Sequence, residues 1–385
     1  MDFMHDVAII GAGVAGSSLA KDMAARGWDT VLIDGKSFPR HKVCGEFLSP
    51  ESLGTLDELG LRKTVERLQP RRIERARLIV SSGGALDVPL PGTGLGVSRY
   101  ALDSALHQAA YRSGVELVTG TPVAEVHPAG GGFRLVLKPA EDGLPQELLV
   151  RSVIGAWGAN PRLMRLQRPR DRAVSRTGGC IGVKSHFTGI PMEPVVELYF
   201  FPGGYLGLSP IEGDRVNVCA LLKRQAFPEA EPTVSGLLDA ACRRHPLLRR
   251  RLLDASPVPG TEAAVAPVRL DRQPLTWGRF AHVGDASLLV PPLCGDGMSM
   301  ALRSARLCAR LADRYLDGTV SLAQWQAEYA LAVQREFAGP LRWGTWLHSL
   351  SGLPVLPRLL LALAQLMPNL AASLVKATRL KGRGS

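Results

Sequence analysis

The sequence predicts an α/β protein with a Rossmann-type nucleotide-binding domain, an antiparallel β-sheet domain inserted into it, and C-terminal helices. Three observations predict this class. An apolar segment runs into glycines spaced G-x-G-x-x-G at residues 11–16, strand-like segments fill residues 180–222, and a second glycine-rich signature at 284–297 opens a long helical pattern. With 385 residues, 46% of them hydrophobic, the chain can form two closely connected domains.

The first glycine signature has a mechanical interpretation. Gly11 permits a tight turn, Gly13 lets backbone N–H groups approach a pyrophosphate, and Gly16 lets the following helix, predicted over 17–26, pack closely on the strand. A second apolar strand ends in Asp34, about twenty residues on, where a carboxylate accepts hydrogen bonds from ribose hydroxyls. Because that carboxylate would repel a 2′-phosphate, the predicted ribose is unphosphorylated. This signature alone leaves FAD and NAD open.

The second signature narrows the choice to FAD. Gly284 and Asp285 follow an apolar segment, and a glycine-rich stretch over 291–297 leads into a helix predicted over Gly297–Leu316. A turn capped by an aspartate is the alternative for this segment taken alone. Together the two signatures predict one FAD held by segments from opposite ends of the catalytic region, so the fold class becomes a Rossmann-type FAD-binding domain with an inserted substrate domain.

The elements between and after the signatures follow from periodicity and turn residues. In chain order they are helix 51–68, hairpin 76–88, helix 100–114, strands 116–118, 121–126, 153–158, 195–201 and 216–222, helix 234–253 and strand 280–283. We predict a discontinuous FAD-binding domain over 1–70, 98–172 and 270–325, a substrate-binding domain over 71–97 and 173–269, and a helical region over 326–385.

The C-terminal region is predicted to be helical over 322–380. Its predicted breaks are Gly339–Pro340, Gly352, Pro354, Pro357 and Pro368. Residues 359–375 carry no charge but are too short and too interrupted for a comfortable membrane span, so a buried helix pair is the favoured interpretation. The basic tail (Lys376, Arg379, Lys381, Arg383) leaves peripheral membrane contact open.

Charge and cysteine usage narrow the class of protein further. The formal net charge is +11, yet the densest basic cluster, at 243–251, lies in an ordinary helical pattern, so no nucleic-acid partner is predicted. The six cysteines show no C-x-x-C spacing and the eight histidines no metal-ligand spacing, which predicts reduced thiols and no metal. The N-terminal segment lacks the features of a signal peptide, so a cytoplasmic protein is expected, with membrane association left open.

These motifs resemble the flavoprotein monooxygenase and geranylgeranyl-reductase superfamily over nearly the whole chain. The segment 39–46 looks like the P-x-x-K-x-C-G motif of its reductase-like branch, and Gly284–Asp285 looks like the motif that meets the ribityl chain and flavin ring. The helix beginning at Gly297 would stabilise a reduced, anionic ring by about 0.3–1 kcal/mol. The resemblance implies the cofactor-binding residues Gly11, Gly13, Ala15, Gly16, Asp34, Arg40, Cys44, Arg99, Val123, Gly284, Asp285, Pro292, Gly295, Gly297 and Met298.

Two segments depart from the family pattern. Trp157–Gly158 stands where many relatives carry Asp-Gly, which removes the usual carboxylate near the pyrophosphate and nicotinamide path. Residues 205–210 replace the Y-x-W-x-F-P of archaeal reductases, and no W-x-W-x-I-P of tryptophan halogenases occurs. The first departure concerns how NAD(P)H would dock, and the second weakens both an isoprenoid-reductase and a tryptophan-halogenase assignment.

The catalytic candidates are Cys44, Glu46, Tyr205 and Ser209. The resemblance brings Cys44 and Glu46 near the isoalloxazine, although a small buried thiol and a loop-anchoring carboxylate are equally good interpretations. Tyr205 and Ser209 would project from the sheet that covers the flavin and orient a phenol or enol, or Tyr205 would only pack. Arg40 and Arg99 would lie against the FAD phosphates or the isoalloxazine surroundings, with a surface salt bridge as the alternative.

These features favour an FAD-dependent monooxygenase that uses NAD(P)H and O₂ to hydroxylate or oxidise a lipophilic small molecule of polyketide, phenolic-lipid or isoprenoid class. A geranylgeranyl-reductase-like enzyme that acts on a C=C bond is the alternative. A non-catalytic flavin-binding or membrane-interaction module is the alternative from another class. A separate flavin reductase as partner also stays open.

Overall fold

The computed structural model describes residues 4–81, 83–138, 145–160, 163–166, 179–270 and 273–351. The strands are β1 His5–Ile10, β2 Thr30–Asp34, β3 Phe47–Leu48, β4 Arg71–Val80, β5 Ala85–Gly96, β6 Glu116–Thr119, β7 Val123–Ala129, β8 Gly132–Leu137, β9 Gln146–Gly155, β10 Cys180–Thr188, β11 Val195–Phe201, β12 Gly204–Ile211, β13 Arg215–Lys223, β14 Ser256–Pro257, β15 Ala263–Val268 and β16 Ala281–His282. The helices are α1 Val14–Ala25, α2 Pro50–Glu58, α3 Arg62–Glu66, α4 Arg99–Arg112, α5 Val234–Arg243, α6 Pro246–Arg251, α7 Gly297–Leu316 and α8 Leu322–Ser351.

The first sheet carries the Rossmann-type domain. Its order is β6-β2-β1-β9-β8-β7, with β16 beside β9. The strands β6, β2, β1, β9 and β16 run parallel, whereas β7, β8 and β9 form an antiparallel meander. Alternate residues of β1 enter two different cores: Val7 and Ile9 pack on one face with α1 and α7, and Ala8 and Ile10 on the other. Burial on both faces explains why β1 is an unbroken apolar run.

The second sheet has the order β14-β10-β13-β12-β11-β4-β5-β3, with β15 beside β10. Its pairs are antiparallel except β11 with β4, which run parallel. The prediction of an antiparallel sheet is therefore correct apart from that pair, which joins strands from distant parts of the chain. β3 also belongs to this sheet through β5, although it lies within the predicted 1–70 segment of the first domain.

The two faces of the second sheet have different partners. One face packs on α5 and α6 through a core that includes Val183, Leu206 and Leu208. Strand register places the alternate residues on the opposite face, which we call the inner face. The inner face comprises Gly182, Lys184, His186, Leu198, Phe200, Tyr205, Gly207, Ser209, Asn217, Cys219 and Leu221.

Three predicted helices differ from the structure. The pattern over 51–68 is two helices, because Gly60 (φ +64°) takes the left-handed conformation that ends α2. The pattern over 234–253 also divides, since Pro246 opens α6 after an extended His245. The predicted break at Gly339–Pro340 is wrong: α8 continues through Pro340, which is buried. The predicted breaks from Gly352 onwards lie outside the described residues.

Among the residues that the structure describes, no helix is long and apolar enough to cross a membrane. The six cysteines, all within the described ranges, form no disulfide.

Candidate functional site

The first glycine signature forms a turn that only glycine can make. Gly11 has φ +110°, and a Cβ on it would lie 2.6 Å from the Ala156 carbonyl oxygen. A Cβ on Gly16 would lie 1.8 Å from the Gly11 carbonyl oxygen, so α1 packs directly on the turn. The N-cap residue of α1, Gly13, provides no side-chain cap, and the first turn of α1 contains no acidic residue. The helix N-terminus therefore presents its N–H groups to an anion.

Asp34 lies at the carboxyl end of β2 and binds the turn to that strand. Its carboxylate accepts hydrogen bonds from the Ala12 and Lys36 backbone N–H groups at 2.8 and 2.9 Å. Arg40 donates both ends of its guanidinium to the same carboxylate, each at 2.8 Å, and lies over the Phe38 ring at 4.5 Å. The structure thus places Arg40 on Asp34, and its predicted contact with the phosphates or the isoalloxazine stays a prediction, as does the ribose contact of Asp34.

Two cations face the glycine turn. A Cβ on Gly13 would lie 3.6 Å from Nη2 of Arg99 and 4.0 Å from Nζ of Lys42. Arg99 is buried and held by a fork of two 2.7 Å hydrogen bonds to Asp103. Burial opposes the charge of Arg99, but the Asp103 carboxylate and Cys44 outweigh it and raise the pKa of the guanidinium. Arg99 is therefore a fixed positive charge beside the place where a pyrophosphate would lie.

Lys42 is a site residue that the sequence reasoning missed. Its ammonium also points at Gly158, since a Cβ there would lie 3.2 Å from Nζ. Burial and the nearby Arg99 lower the pKa of Lys42, whereas the Asp285 carboxylate opposes that shift. The lysine of the P-x-x-K-x-C-G pattern was the signal that would have identified it.

The two glycine signatures meet in space. Gly284 has φ +59°, and a Cβ on it would lie 3.0 Å from the Cβ of Ala15 and 3.6 Å from that of Ala301. Its N–H donates to Ser304 Oγ of α7 at 2.9 Å. Segments about 270 positions apart in the chain therefore close around one region, with α1 and α7 side by side.

The loop before α7 surrounds that region from the other side. Gly295 is left-handed (φ +72°), and a Cβ there would lie 3.0 Å from the Phe47 ring. α7 starts at Gly297 with no acidic residue in its first turn and no side-chain cap from Asp296. Met298 is buried in the core and Pro292 is exposed. Val123, also predicted to touch the cofactor, is a buried core residue at the start of β7.

Glu46 is the centre of a buried charge cluster. It has φ +56° and no exposed surface. Its Oε1 accepts hydrogen bonds from the Arg99 backbone N–H and from Lys184 Nζ, each at 2.9 Å. Its Oε2 lies 2.6 Å from His186 Nε2. Burial alone would raise the pKa of this carboxyl, but the His186 hydrogen bond and the Lys184 charge outweigh it, so the pKa is lowered. These contacts fit the interpretation of Glu46 as a loop-anchoring carboxylate, and its catalytic role stays a prediction.

Lys184 and His186 were also missed by the sequence reasoning. Both lie on the inner face with no exposed surface, and Lys184 Nζ contacts His186 Nε2 at 2.8 Å and His41 Nδ1 at 3.3 Å. His41 stacks on the exposed Tyr100, and burial followed by the Lys184 charge lowers its pKa to about 4. The signal was a lysine and a histidine two residues apart, at 184 and 186, which places both on one face of a strand. We call Glu46, Lys184, His186 and His41 the anchor cluster.

The other catalytic candidates lie on or beside the inner face. Cys44 is partly buried, and its carbonyl accepts from Asn217 Nδ2 at 2.9 Å. Tyr205 and Ser209 are buried, and among the described residues their hydroxyls have no hydrogen-bond partner. Burial, and then the nearby Cys219, raises the pKa of Tyr205, so its hydroxyl stays protonated.

Trp157 belongs to the first domain's core. Its ring folds back over Gly155, where a Cβ would lie 2.5 Å away, and makes edge contacts with Phe280 and His282 at 6.0 and 5.3 Å. The indole therefore packs between β9 and β16. The carboxylate that relatives carry here is replaced by apolar packing.

The donor set fits FAD. An uncapped helix N-terminus and two cations suit the pyrophosphate, Asp34 suits the ribose, and Asp285 with the α7 N-terminus suits the flavin half. A family model described as an FAD binding domain matches residues 4–322. The chain belongs to this FAD binding domain family. It is an FAD-dependent oxidoreductase of the predicted superfamily, and the family model confirms the prediction of FAD as cofactor.

Members of the family with related sequences include two reductases. The chain is 29% identical to the menaquinone reductase of Mycolicibacterium smegmatis over 334 residues, 81% of this chain and 77% of that protein. It is 28% identical to digeranylgeranylglycerophospholipid reductase 2 of Methanopyrus kandleri over 345 residues, 86% of this chain and 83% of that protein. The solved structure of the flavin-dependent brominase Bmp2 shares the fold, with a TM-score of 0.77, 18% identity, and coverage of 97% of this chain and 93% of that chain.

Proposed function

We propose that the protein is an FAD-dependent reductase that saturates a C=C bond in a lipophilic, isoprenoid-like molecule, with NAD(P)H as reductant. The substrate gains a hydride and a proton across the double bond, and NAD(P)H is oxidised to NAD(P)⁺. The proton comes from solvent. When bound, FAD supplies the two-electron redox centre between these two partners.

The observation that carries the proposal is the apolar half of the inner face. Leu198 and Phe200 remain half-buried on the inner face, the face whose Lys184 and His186 bind Glu46 of loop 41–46, which we call the cofactor loop. Phe200 contacts Tyr205 with ring centroids 5.9 Å apart, and Leu198 lies against Gly207, where a Cβ would be 3.2 Å from its Cδ2. On β4, the half-buried Leu78 pairs with Leu198 and widens this apolar surface.

The polar groups beside this surface would orient a substrate. The protonated Tyr205 hydroxyl can donate to a carbonyl or hydroxyl of the substrate, and Ser209 can donate or accept. Two hydroxyls at the edge of an apolar wall suit a molecule with one polar head and a long apolar chain. The two similar reductases, one named for menaquinone and one for digeranylgeranylglycerophospholipid, support the same class.

Lys42 and Arg99 would hold the pyrophosphate, and the anchor cluster would keep the loop 41–46 seated under the inner face. Arg99 contributes to the pyrophosphate site and to the anchoring of the loop, since its guanidinium faces Gly13 while its backbone N–H donates to Glu46. Cofactor and substrate surfaces are thereby held in a fixed relation, which hydride transfer requires.

Oxygen-dependent hydroxylation, which the sequence analysis placed first, is the second candidate. The observation in its favour is that the uncovered part of the inner face offers hydroxyls and apolar side chains, which suits a reaction in which the cofactor supplies the chemistry. A separate flavin reductase would then be a suitable partner. The sequence relatives favour the first candidate.

An anaerobic reoxidation experiment separates the two candidates. The holoprotein is reduced under nitrogen with NADH or NADPH, a menaquinone or a geranylgeranyl lipid is added, and the visible spectrum and product mass are followed. The proposal expects the yellow spectrum to return without air and the product to keep two added hydrogen atoms in its isoprenoid chain after air has reoxidised any quinol to the quinone. Reoxidation only on admission of air, with a product that gains oxygen, would support hydroxylation instead. Flavin that no reductant bleaches would point to a non-catalytic module.

A further inference from the structure

The C-terminal half of α8 carries an exposed aromatic pair. Trp343 is 37% and Trp346 44% exposed, and their rings meet edge to face with centroids 5.7 Å apart. Tryptophan has a large apolar ring with one polar N–H, a combination enriched where protein surfaces meet the water–lipid boundary.

The same helix surface is basic as well as apolar. Leu331 is 45% exposed, and Arg335 and Arg342 are exposed at positions that share its side of the helix. Val333 and Phe337, on the opposite side, are buried in the first domain's core. α8 is thus an amphipathic helix whose outer surface mixes cationic, aliphatic and aromatic residues. That mixture is typical of helices that lie on anionic lipid.

The aromatic pair borders the cofactor region. Gly344, between the two tryptophans in sequence, faces inward, and a Cβ on it would lie 2.8 Å from Cys294 Sγ and 3.5 Å from Pro291. These two residues belong to the loop of the second glycine signature. A lipid surface held at the tryptophans would therefore lie across α8 from the loop before α7.

The charge of the chain suits a negatively charged partner. The net charge is +11, and the sequence after α8 contains an uncharged stretch over 359–375 followed by Lys376, Arg379, Lys381 and Arg383. Each basic residue close to an anionic bilayer adds attraction that salt screens. A partner surface without negative charge would not be attracted by these basic residues.

We propose that Trp343, Trp346, Arg335 and Arg342 form a membrane-docking surface that binds the face of an anionic phospholipid bilayer. The rings enter the interfacial region and the arginines bind lipid phosphates. Docking at this surface brings the loop before α7 to within one helix of the bilayer, from which a lipophilic molecule can be taken up. This inference concerns binding only and holds whichever reaction the enzyme performs.

Vesicle binding of the full-length protein tests the proposal. Vesicles of equal parts phosphatidylglycerol and phosphatidylcholine are compared with pure phosphatidylcholine by sedimentation. We expect binding to the anionic vesicles that falls with added salt, and quenching of tryptophan fluorescence by brominated phosphatidylcholine. The double variant Trp343→Ser/Trp346→Ser should bind the anionic vesicles with an affinity about tenfold lower, or lower still, and should lose most of the quenching. Arg335→Gln and Arg342→Gln should each weaken binding roughly fivefold.

The matched control is Tyr111→Ser, which removes an aromatic ring 63% exposed on α4 and should leave binding unchanged. Equal binding by wild type and the double tryptophan variant would overturn the proposal. So would equal binding to neutral and anionic vesicles. Failure of acrylamide to quench Trp343 and Trp346 in solution would show that another part of this chain covers them, and would also overturn it.

Discussion

The inner face of the second sheet has two halves that the protein treats in opposite ways. Lys184 and His186, on β10, have no exposed surface and bind Glu46 of the cofactor loop. Leu198 and Phe200, on β11 of the same sheet face, stay half-buried. The half with charged side chains, which we call the closed half, is shielded from solvent. The half with apolar side chains, the open half, is partly exposed, which is the reverse of what solvent alone would favour.

The difference teaches which half recognises a ligand. Buried charges are tolerated only where each has a partner, and the anchor cluster meets that condition within the protein. Partly open apolar side chains beside the buried, unbonded hydroxyls of Tyr205 and Ser209 gain most from a ligand. We therefore expect the closed half to govern stability and the open half to govern substrate affinity.

The largest expected effect is on the closed half. Glu46→Gln removes the negative charge beside the buried Lys184 and should lower the free energy of unfolding by about 3 kcal/mol or more. The control Glu193→Gln removes a carboxylate that is 59% exposed and paired with Arg75 and Arg77, and should cost within about 1 kcal/mol. Urea unfolding followed by circular dichroism measures both. Equal losses would remove the distinction between the two halves.

Substrate affinity should respond next, through the open half. Leu198→Ser deletes apolar contact worth about 1–2 kcal/mol, so the KM for an isoprenoid quinone should rise roughly tenfold. Stability should hardly change, because the side chain is only half-buried. Leu253→Ser, at a leucine 74% exposed, is the matched control and should leave KM unaltered. Unchanged KM in the Leu198 variant would place the substrate elsewhere.

A smaller effect should follow from the hydroxyl beside that surface. Tyr205→Phe removes an oxygen that has no hydrogen-bond partner among the described residues, so unfolding should be altered by less than about 1 kcal/mol. The KM for a substrate with a carbonyl head should rise a few-fold, because the substrate loses one hydrogen bond. Loss of stability without a change in KM would mean that the tyrosine only packs.

The smallest effect at neutral pH concerns His41. Its pKa is lowered from 6.5 to about 4 in the folded protein, so its contribution to stability is complete above pH 6.5 and is lost as pH falls toward 4. Glu46, with a pKa below its ordinary 4.5, loses its contribution only as pH falls below that value. His41→Asn keeps an acceptor for Lys184 but does not titrate, and should flatten the thermal stability profile between pH 6.5 and 5. An unchanged slope would contradict the assignment.

Much of the fold could be predicted from the sequence because its signals are local. The turn at Gly11–Gly16, the strand ending in Asp34 and the helix Gly297–Leu316 follow from residues adjacent in the chain. The break within helix 51–68 was missed because Gly60 is one of many glycines and only the structure gives its φ of +64°. The continuity of α8 through Pro340 depends on tertiary packing that outweighs helix propensity.

The site was predicted where one segment carries the chemistry and missed where several segments share it. Gly13 and Gly284 are identifiable from their own motifs. The partners of Glu46 lie about 140 positions away on β10, and no local pattern links a lysine in a strand to a carboxylate in a distant loop. Likewise, the fork from Arg40 to Asp34 depends on how the loop folds back on β2.

The central claim is that FAD binds where the two glycine signatures meet. The variant Gly13→Ala tests this binding directly. The added methyl lies no closer than 3.6 Å to any protein atom outside its immediate neighbours, so the chain should fold, but it fills the space between the turn and the two cations. We predict that the FAD dissociation constant, from flavin fluorescence titration, rises about ten- to a hundredfold. Gly54→Ala, where a Cβ meets nothing within 4 Å, should bind like wild type. If Gly13→Ala binds FAD as tightly as Gly54→Ala, the cofactor does not lie at this turn and the account is contradicted.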